Sequence, residues 1–231
     1  MRVFHGVVFA AALALVAPGL GAVAQDMAGK VAGGGITVKG WTGKVDDSKE
    51  NAGLTLNDAK FAAEGAGFHI TTVPAVTYWN PANVASGNYT VKATFKEPKF
   101  MGLNTHPHPY GIMIGGNDLD TPNMSLLYCS AYGNGRFIVR GFGPASFSVN
   151  ARGEANPAIN KVETGQPVTQ EVALSVKGDK VECAVNGTVV GSYDKSAVVG
   201  PGKLKSTDGV YGLRFGHNTE AVVTGFAMTK G

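Results

Sequence analysis

Between Gly87 and Pro98 the chain alternates: Tyr89, Val91, Ala93 and Phe95 are apolar, and Thr90, Lys92, Thr94 and Lys96 between them are polar. A period of two sends successive side chains to opposite faces, so this run predicts a β-strand with one buried and one wet face. Tyr110 to Gly116 is apolar and ends in Gly-Gly. Ser125 to Tyr132 and Arg136 to Gly141 follow, joined through Gly133, Asn134 and Gly135. An Asn-Gly pair between two such runs predicts a tight hairpin, because both residues tolerate the positive φ of the turn. Thr169 to Lys177, Lys180 to Val185 and Thr188 to Tyr193 predict a meander through Gly178-Asp179 and Asn186-Gly187. Val210 to Gly216 and Ala221 to Lys230 make a last pair.

Upstream, Ile36 to Trp41 predicts a first strand, and the polar stretch Thr42 to Asn57 a loop with a helical turn near Asp46 to Asn51. Lys60 to Glu64 and Phe68 to Val73 pair across Gly65-Ala66-Gly67, and Thr77 to Trp79 continues extended until Asn80-Pro81 ends it. Phe147 to Val149 is a further short strand; Phe100 to Pro109 and Ala151 to Gln166 read as loops. Helical periodicity of useful length is missing. About a dozen short strands with turn signals between them predict an all-β sandwich or barrel.

Composition sharpens this picture. The 33 glycines in 231 residues point to many turns, and 44% hydrophobic with 16% charged residues allow a large core. The N-terminus carries a leader pattern. Arg2 and His5 precede the apolar run Val7 to Val16, Pro18-Gly19 breaks it, and Ala22-Val23-Ala24 fits a small-x-small cleavage site. Cleavage after Ala24 is expected, leaving a flexible segment over 25–35 and a β-sandwich domain over 36–231, in a secreted or periplasmic protein with no membrane attachment. Without Arg2 the net charge falls from +3 to about +2, with no basic cluster, so nucleic acid is not an expected partner.

Cys129 alternates with Leu127 and Ala131, and Cys183 with Val181 and Val185, so both face a core. A disulfide and two buried thiols are equally consistent with that.

The order GNYTVKATF, YGIMIGG, YCSAYGNGRFIVRG, VALSVKGDKVECAVNGTVVGSY, GVYGLRFGHNTEAVVTGFAM resembles the concanavalin A-like lectin/glucanase jelly-roll superfamily. Within it the chain is most similar to laminin G-like domains and the bacterial 3-keto-disaccharide hydrolase domain family. Val185-Asn186-Gly187 and Gly209 to Arg214 carry the likeness, which spans about residues 36–230. It implies a two-sheet antiparallel β-sandwich, with ligands across a concave sheet or its rim loops. The Glu-x-Asp-x-x-Glu strand motif of the superfamily's glucanases is absent from this sequence.

The expected ligand face is aromatic and guanidinium-rich. Tyr128 alternates with core-facing Leu127 and Cys129, Arg140 with Val139, and Arg214 lies between Leu213 and Phe215. Trp79 and Tyr110 stand at strand ends, and Asn134 in the hairpin turn. Aromatic rings stack on the apolar faces of sugars while Arg and Asn donate to hydroxyls, so a carbohydrate is the leading ligand. Glycoside cleavage is the enzymatic alternative; it needs two opposed carboxyl groups, and the candidates for acid–base work are Asp118, Asp120 and His106. Asn117, Asp118 and Asp120 also form an oxygen-rich loop, and a structural calcium is the one cofactor considered. His106 and His108 flank Pro107, but only His69 and His217 remain to complete a metal set, so no metal centre is expected. A laminin G-like protein-interaction module, pairing with a partner through strand edges, is the third reading.

Overall fold

The computed structural model of the protein describes Met1 and residues 31–231, so the rest of the expected leader and residues 25–30 lie outside the described residues. The described strands, in chain order, are β1 (Gly35–Ile36), β2 (Thr42–Val45), β3 (Ala59–Glu64), β4 (Gly67–Thr72), β5 (Val76–Ala85), β6 (Tyr89–Glu97), β7 (Tyr110–Asn117) and β8 (Ser125–Tyr132). They continue with β9 (Arg136–Phe142), β10 (Ser146–Ser148), β11 (Glu154–Ala155), β12 (Val168–Lys177), β13 (Lys180–Val185), β14 (Thr188–Asp194), β15 (Gly209–Phe215) and β16 (Thr219–Lys230). One short helix, α1 (Lys195–Val198), follows β14.

These strands form two sheets. The first runs β1-β3-β4-β16-β6-β12-β13-β14; the second runs β10-β9-β8-β7-β15-β5-β2, with β11 against β9. All pairings are antiparallel except the two-residue contact of β1 with β3. The alternating strand is β6, central in the first sheet, where Tyr89, Val91, Ala93 and Phe95 are almost fully buried. From the second sheet Tyr78, Ile112, Cys129, Val139, Leu213 and Phe215 face them, and the two sets form one apolar core. Burying each such side chain contributes about 1.5–3 kcal/mol, and this shared layer holds the sheets together.

Cys129 on β8 and Cys183 on β13 are joined by a disulfide across that layer, with Cα atoms 5.9 Å apart. Of the two readings open in the sequence, the bonded one is found.

Three local departures have clear causes. The first strand expected over Ile36–Trp41 is confined to Gly35–Ile36, and residues 42–45, expected as loop, form strand β2, which closes the edge of the second sheet against β5. β5 does not stop at Asn80-Pro81. Pro81 is exposed, β2 covers only 76–79, and β15 shifts register opposite it, so the missing N–H breaks no ladder bond. The expected turn near Asp46 to Asn51 is a single 3₁₀ turn over Lys49–Asn51, capped by Ser48.

Candidate functional site

The outer face of the second sheet holds most of the expected ligand residues. Tyr128 on β8 lies opposite Met113 on β7 and Arg140 on β9, and Gly212 of β15 lies between Met113 and Trp79 of β5. Outward placement of Tyr128, Arg140, Arg214 and Trp79 therefore follows from register. This face is not bare. Trp79, Met113, Leu119, Leu126, Tyr128, Tyr132 and Ile138 make a second apolar cluster, flanked by Met124 and Phe142. Every residue of β8 is buried, because the loop carrying Leu119 and Met124 folds over it.

Arg214 anchors this layer. It is 6% exposed and forms a two-pronged ion pair with Asp46, 168 residues away in sequence: Nη1 donates to Oδ1 at 2.6 Å and Nη2 to Oδ2. Nη1 also donates to Thr77 Oγ1 at 3.2 Å. Its guanidinium carbon sits 5.1 Å from the Tyr128 ring centre and 5.4 Å from that of Phe142. Burial alone would lower the Arg214 pKa; the adjacent Asp46 carboxylate outweighs this and raises it. The group is a fixed cation that orders two aromatic rings.

Beside this stack a cleft of about 530 Å³ opens, in the range of small-molecule sites. Asp46, Asp47, Asp120, Phe142 and Pro144 are among the residues that line it. Lys44 Nζ donates to the Thr121 carbonyl at 3.0 Å, tying β2 to the loop on the other side of the cleft. Arg140 lies near this layer, opposite Tyr128 and Ser148, with its Nε buried and without a hydrogen-bond partner.

Several expected residues have other places. Tyr110 points into the core rather than toward a ligand: it is fully buried, and its ring stacks on Phe95 at 5.3 Å. As the first residue of β7 it shares the inward parity of Ile112 and Ile114. Trp79 is on the outer face but only 2% exposed, so its ring serves as floor rather than stacking platform. The Arg214 donors toward Asp46 and Thr77 are committed, which makes it a positioning residue. Asn134 is at the hairpin turn, bridged to Lys161, in a separate open groove with Asn156 and Asn160. The 117–120 loop does not gather its oxygens: Asn117 Nδ2 donates to the Gly115 and Asp208 carbonyls, and Asp118 pairs with Lys205. Of that loop, Asp120 lines the cleft. Asp46, Asp47 and Phe142 were not picked out from the sequence as site residues; nothing in local spacing marks them.

His106 lies elsewhere, and the metal set that looked incomplete along the chain is completed in space. His106, His108 and His217 each bring one ligand-capable atom within 4.8 Å of the others. His69 is apart from them, between Glu64 at 3.1 Å and Glu220 at 2.8 Å.

No family model and no curated protein sequence matches the chain. Solved structures do match in shape. A carbohydrate-binding module, CBM66, from Bacillus subtilis superposes with TM-score 0.54 at 11% identity, over 84% of this chain and 98% of that one. A Bacillus subtilis protein of unknown function with a galectin-like fold gives 0.52 at 14% identity, over 84% and 90%. The laminarinase catalytic domain of Thermotoga maritima gives 0.51 at 13%, over 82% and 91%. At such identities the likeness is one of fold alone: the chain shares with these structures a jelly-roll β-sandwich of two antiparallel sheets.

Proposed function

We propose that this is an exported carbohydrate-binding protein that holds a neutral sugar in the cleft beside the Arg214–Tyr128–Phe142 stack. The observation that carries the reading is that cleft: a sugar-sized space with an aromatic ring, Phe142, and carboxylates, Asp47 and Asp120, on one lining. The ring takes the apolar face of a pyranose, and the carboxylates accept from its hydroxyls. Trp79, Tyr128 and Arg214 hold the floor rigid, so little ordering is left to binding. That a carbohydrate-binding module shares the architecture supports a carbohydrate as ligand class.

Binding is read over cleavage because two of the three acid–base candidates, Asp118 and His106, do not line the cleft, whereas glycoside hydrolysis needs two carboxyl groups facing each other across the sugar. The leader pattern and the disulfide support a secreted or periplasmic location. Among the described residues no helix is long and apolar enough to cross a membrane.

The test is calorimetric titration with neutral, amino and acidic oligosaccharides. A neutral sugar is expected to bind, and uronic acids to be rejected by Asp47 and Asp120. Asp120→Asn loses a charged acceptor worth about 1.5–3 kcal/mol, a weakening of roughly tenfold or more. Phe142→Ala weakens binding comparably, while Lys161→Ala in the separate groove leaves it unchanged. Equal affinity in wild type, Asp120→Asn and Phe142→Ala removes the cleft as the site.

A further inference from the structure

We infer that His106, His108 and His217 form a binding site for one late first-row divalent cation of the Zn²⁺ or Cu²⁺ class. The inference is independent of the carbohydrate reading.

Local chemistry brings the first two imidazoles together. The run is His106-Pro107-His108-Pro109, and each proline fixes its own φ and keeps the preceding residue extended. The chain bends at His106, and the two rings meet edge to face with centres 4.3 Å apart. The two Nε2 atoms stand 2.7 Å apart.

The third imidazole arrives from the β15–β16 loop. Gly216 N donates to Pro109 O at 2.7 Å, and Thr72 Oγ1 donates to Gly216 O at 2.8 Å, which locks that loop onto the His-Pro segment. The approach needs a glycine: a Cβ at 216 would lie 2.8 Å from Pro109 Cδ and 3.2 Å from His108 Cβ. His217 follows it directly, with its ring centre 3.6 Å from that of His108 and 5.8 Å from that of His106.

An outer group holds one of the rings, as metal-binding histidines commonly have. Glu50 Oε2 lies 3.8 Å from His217 Nδ1, near but beyond hydrogen-bond distance. Asn104 Nδ2 sits 2.7 Å from His108 Nδ1 and 2.7 Å from the Asn218 carbonyl, and Asn104 Oδ1 is buried without a partner. The Asn104 amide, tied to the Asn218 carbonyl, thus fixes the His108 ring from its Nδ1 side.

The donor set selects the metal. Three imidazoles with no carboxylate among them suit zinc or copper and not calcium or magnesium, which take oxygen. His108 is buried, His217 half-buried and His106 exposed, so the trio is open on the His106 side. Three protein ligands with an open fourth position is the arrangement in which zinc also takes water or a substrate atom. The 46–51 segment touches both sites: Asp46 lines the cleft and Glu50 faces His217.

The test uses tag-free protein stripped with a chelator, then titrated with Zn²⁺, Cu²⁺ and Ca²⁺ by calorimetry, with metal content read by mass spectrometry. One Zn²⁺ per chain at micromolar or tighter Kd is expected, with Cu²⁺ tighter and Ca²⁺ without effect. His106→Gln and His217→Gln each weaken Zn²⁺ at least tenfold, and His69→Gln, outside the trio, leaves it unchanged. Co²⁺ shows the visible absorption of a tetrahedral site in the wild type and loses it in both variants. Affinity falls on acidification, because ligation needs neutral imidazole. Since His106 is exposed, its variant keeps the fold and decides the matter even where His217→Gln does not. No stoichiometric Zn²⁺ binding by the wild type, or equal binding by His106→Gln, overturns the assignment.

Discussion

Arg214 keeps its charge where 7% of its side chain meets solvent, and it can do so because Asp46 meets it with two hydrogen bonds. Removing one partner of such a pair strands the other. Asp46→Ala is expected to cost about 3–5 kcal/mol, against less than about 0.5 for exposed Asp47→Ala, both read by urea unfolding. Glu97 poses the opposite problem. Burial pushes its carboxyl from 4.5 up to about 7; the Met101 N–H pulls it down somewhat, and the Glu220 charge adds to the rise. The unfolded chain releases this proton near 4.5 while the folded chain holds it to about 7. Between those values the folded state binds more protons, so stability falls as pH rises. At about 1.4 kcal/mol per pH unit the full penalty above neutrality is roughly 3–4 kcal/mol. Glu97→Gln keeps an acceptor for Met101 and removes the charge. It should raise Tm relative to wild type at pH 8 and give no gain at pH 4.

At the scale of elements, the disulfide and the loops do most to fix how strands meet. Cys129 and Cys183 are 54 residues apart, and opening a loop of that length releases about 4 kcal/mol of chain entropy in the unfolded state. A Cys129→Ala, Cys183→Ala double variant is expected to lose about that much, plus the packing of two sulfurs, as a fall in urea midpoint. Gly216 is the second element-level constraint. Gly216→Ala forces a methyl against Pro109 and should cost about 1–3 kcal/mol by overpacking. It should also weaken Zn²⁺ binding, because the same contact sets His217 against His108; unchanged affinity would detach the loop contact from the metal site.

For the whole molecule, topology places chemistry that the chain scatters. The second sheet takes its strands from both ends of the sequence, with β2 and β15 on the same path as β7, β8 and β9. The cleft and the histidine trio both depend on that order. Contacts of this kind are non-local, so refolding from urea is expected in milliseconds to seconds, as in other all-β domains, rather than microseconds.

Much of this fold was legible along the chain, for a physical reason. A strand's side chains alternate by covalent geometry alone, so β6, the β8–β9 hairpin and the β12–β14 meander could be placed from residue type and turn chemistry. The same parity correctly turned Cys129 and Cys183 inward and Tyr128 outward. Parity does not say what covers a face. Trp79 and Arg214 point outward yet are enclosed, because a loop, Phe142 and Asp46 close over them. Tyr110, expected at a ligand, went to the core, as its shared parity with Ile112 and Ile114 requires. Spacing could not reveal Asp46 beside Arg214 or His217 beside His108, since those pairs are made by sheet order and not by sequence distance. Local sterics and hydrophobic period thus determined most of the strands and which side of each faces the core. Only the long-range pairing of those strands decided which charges, rings and imidazoles meet.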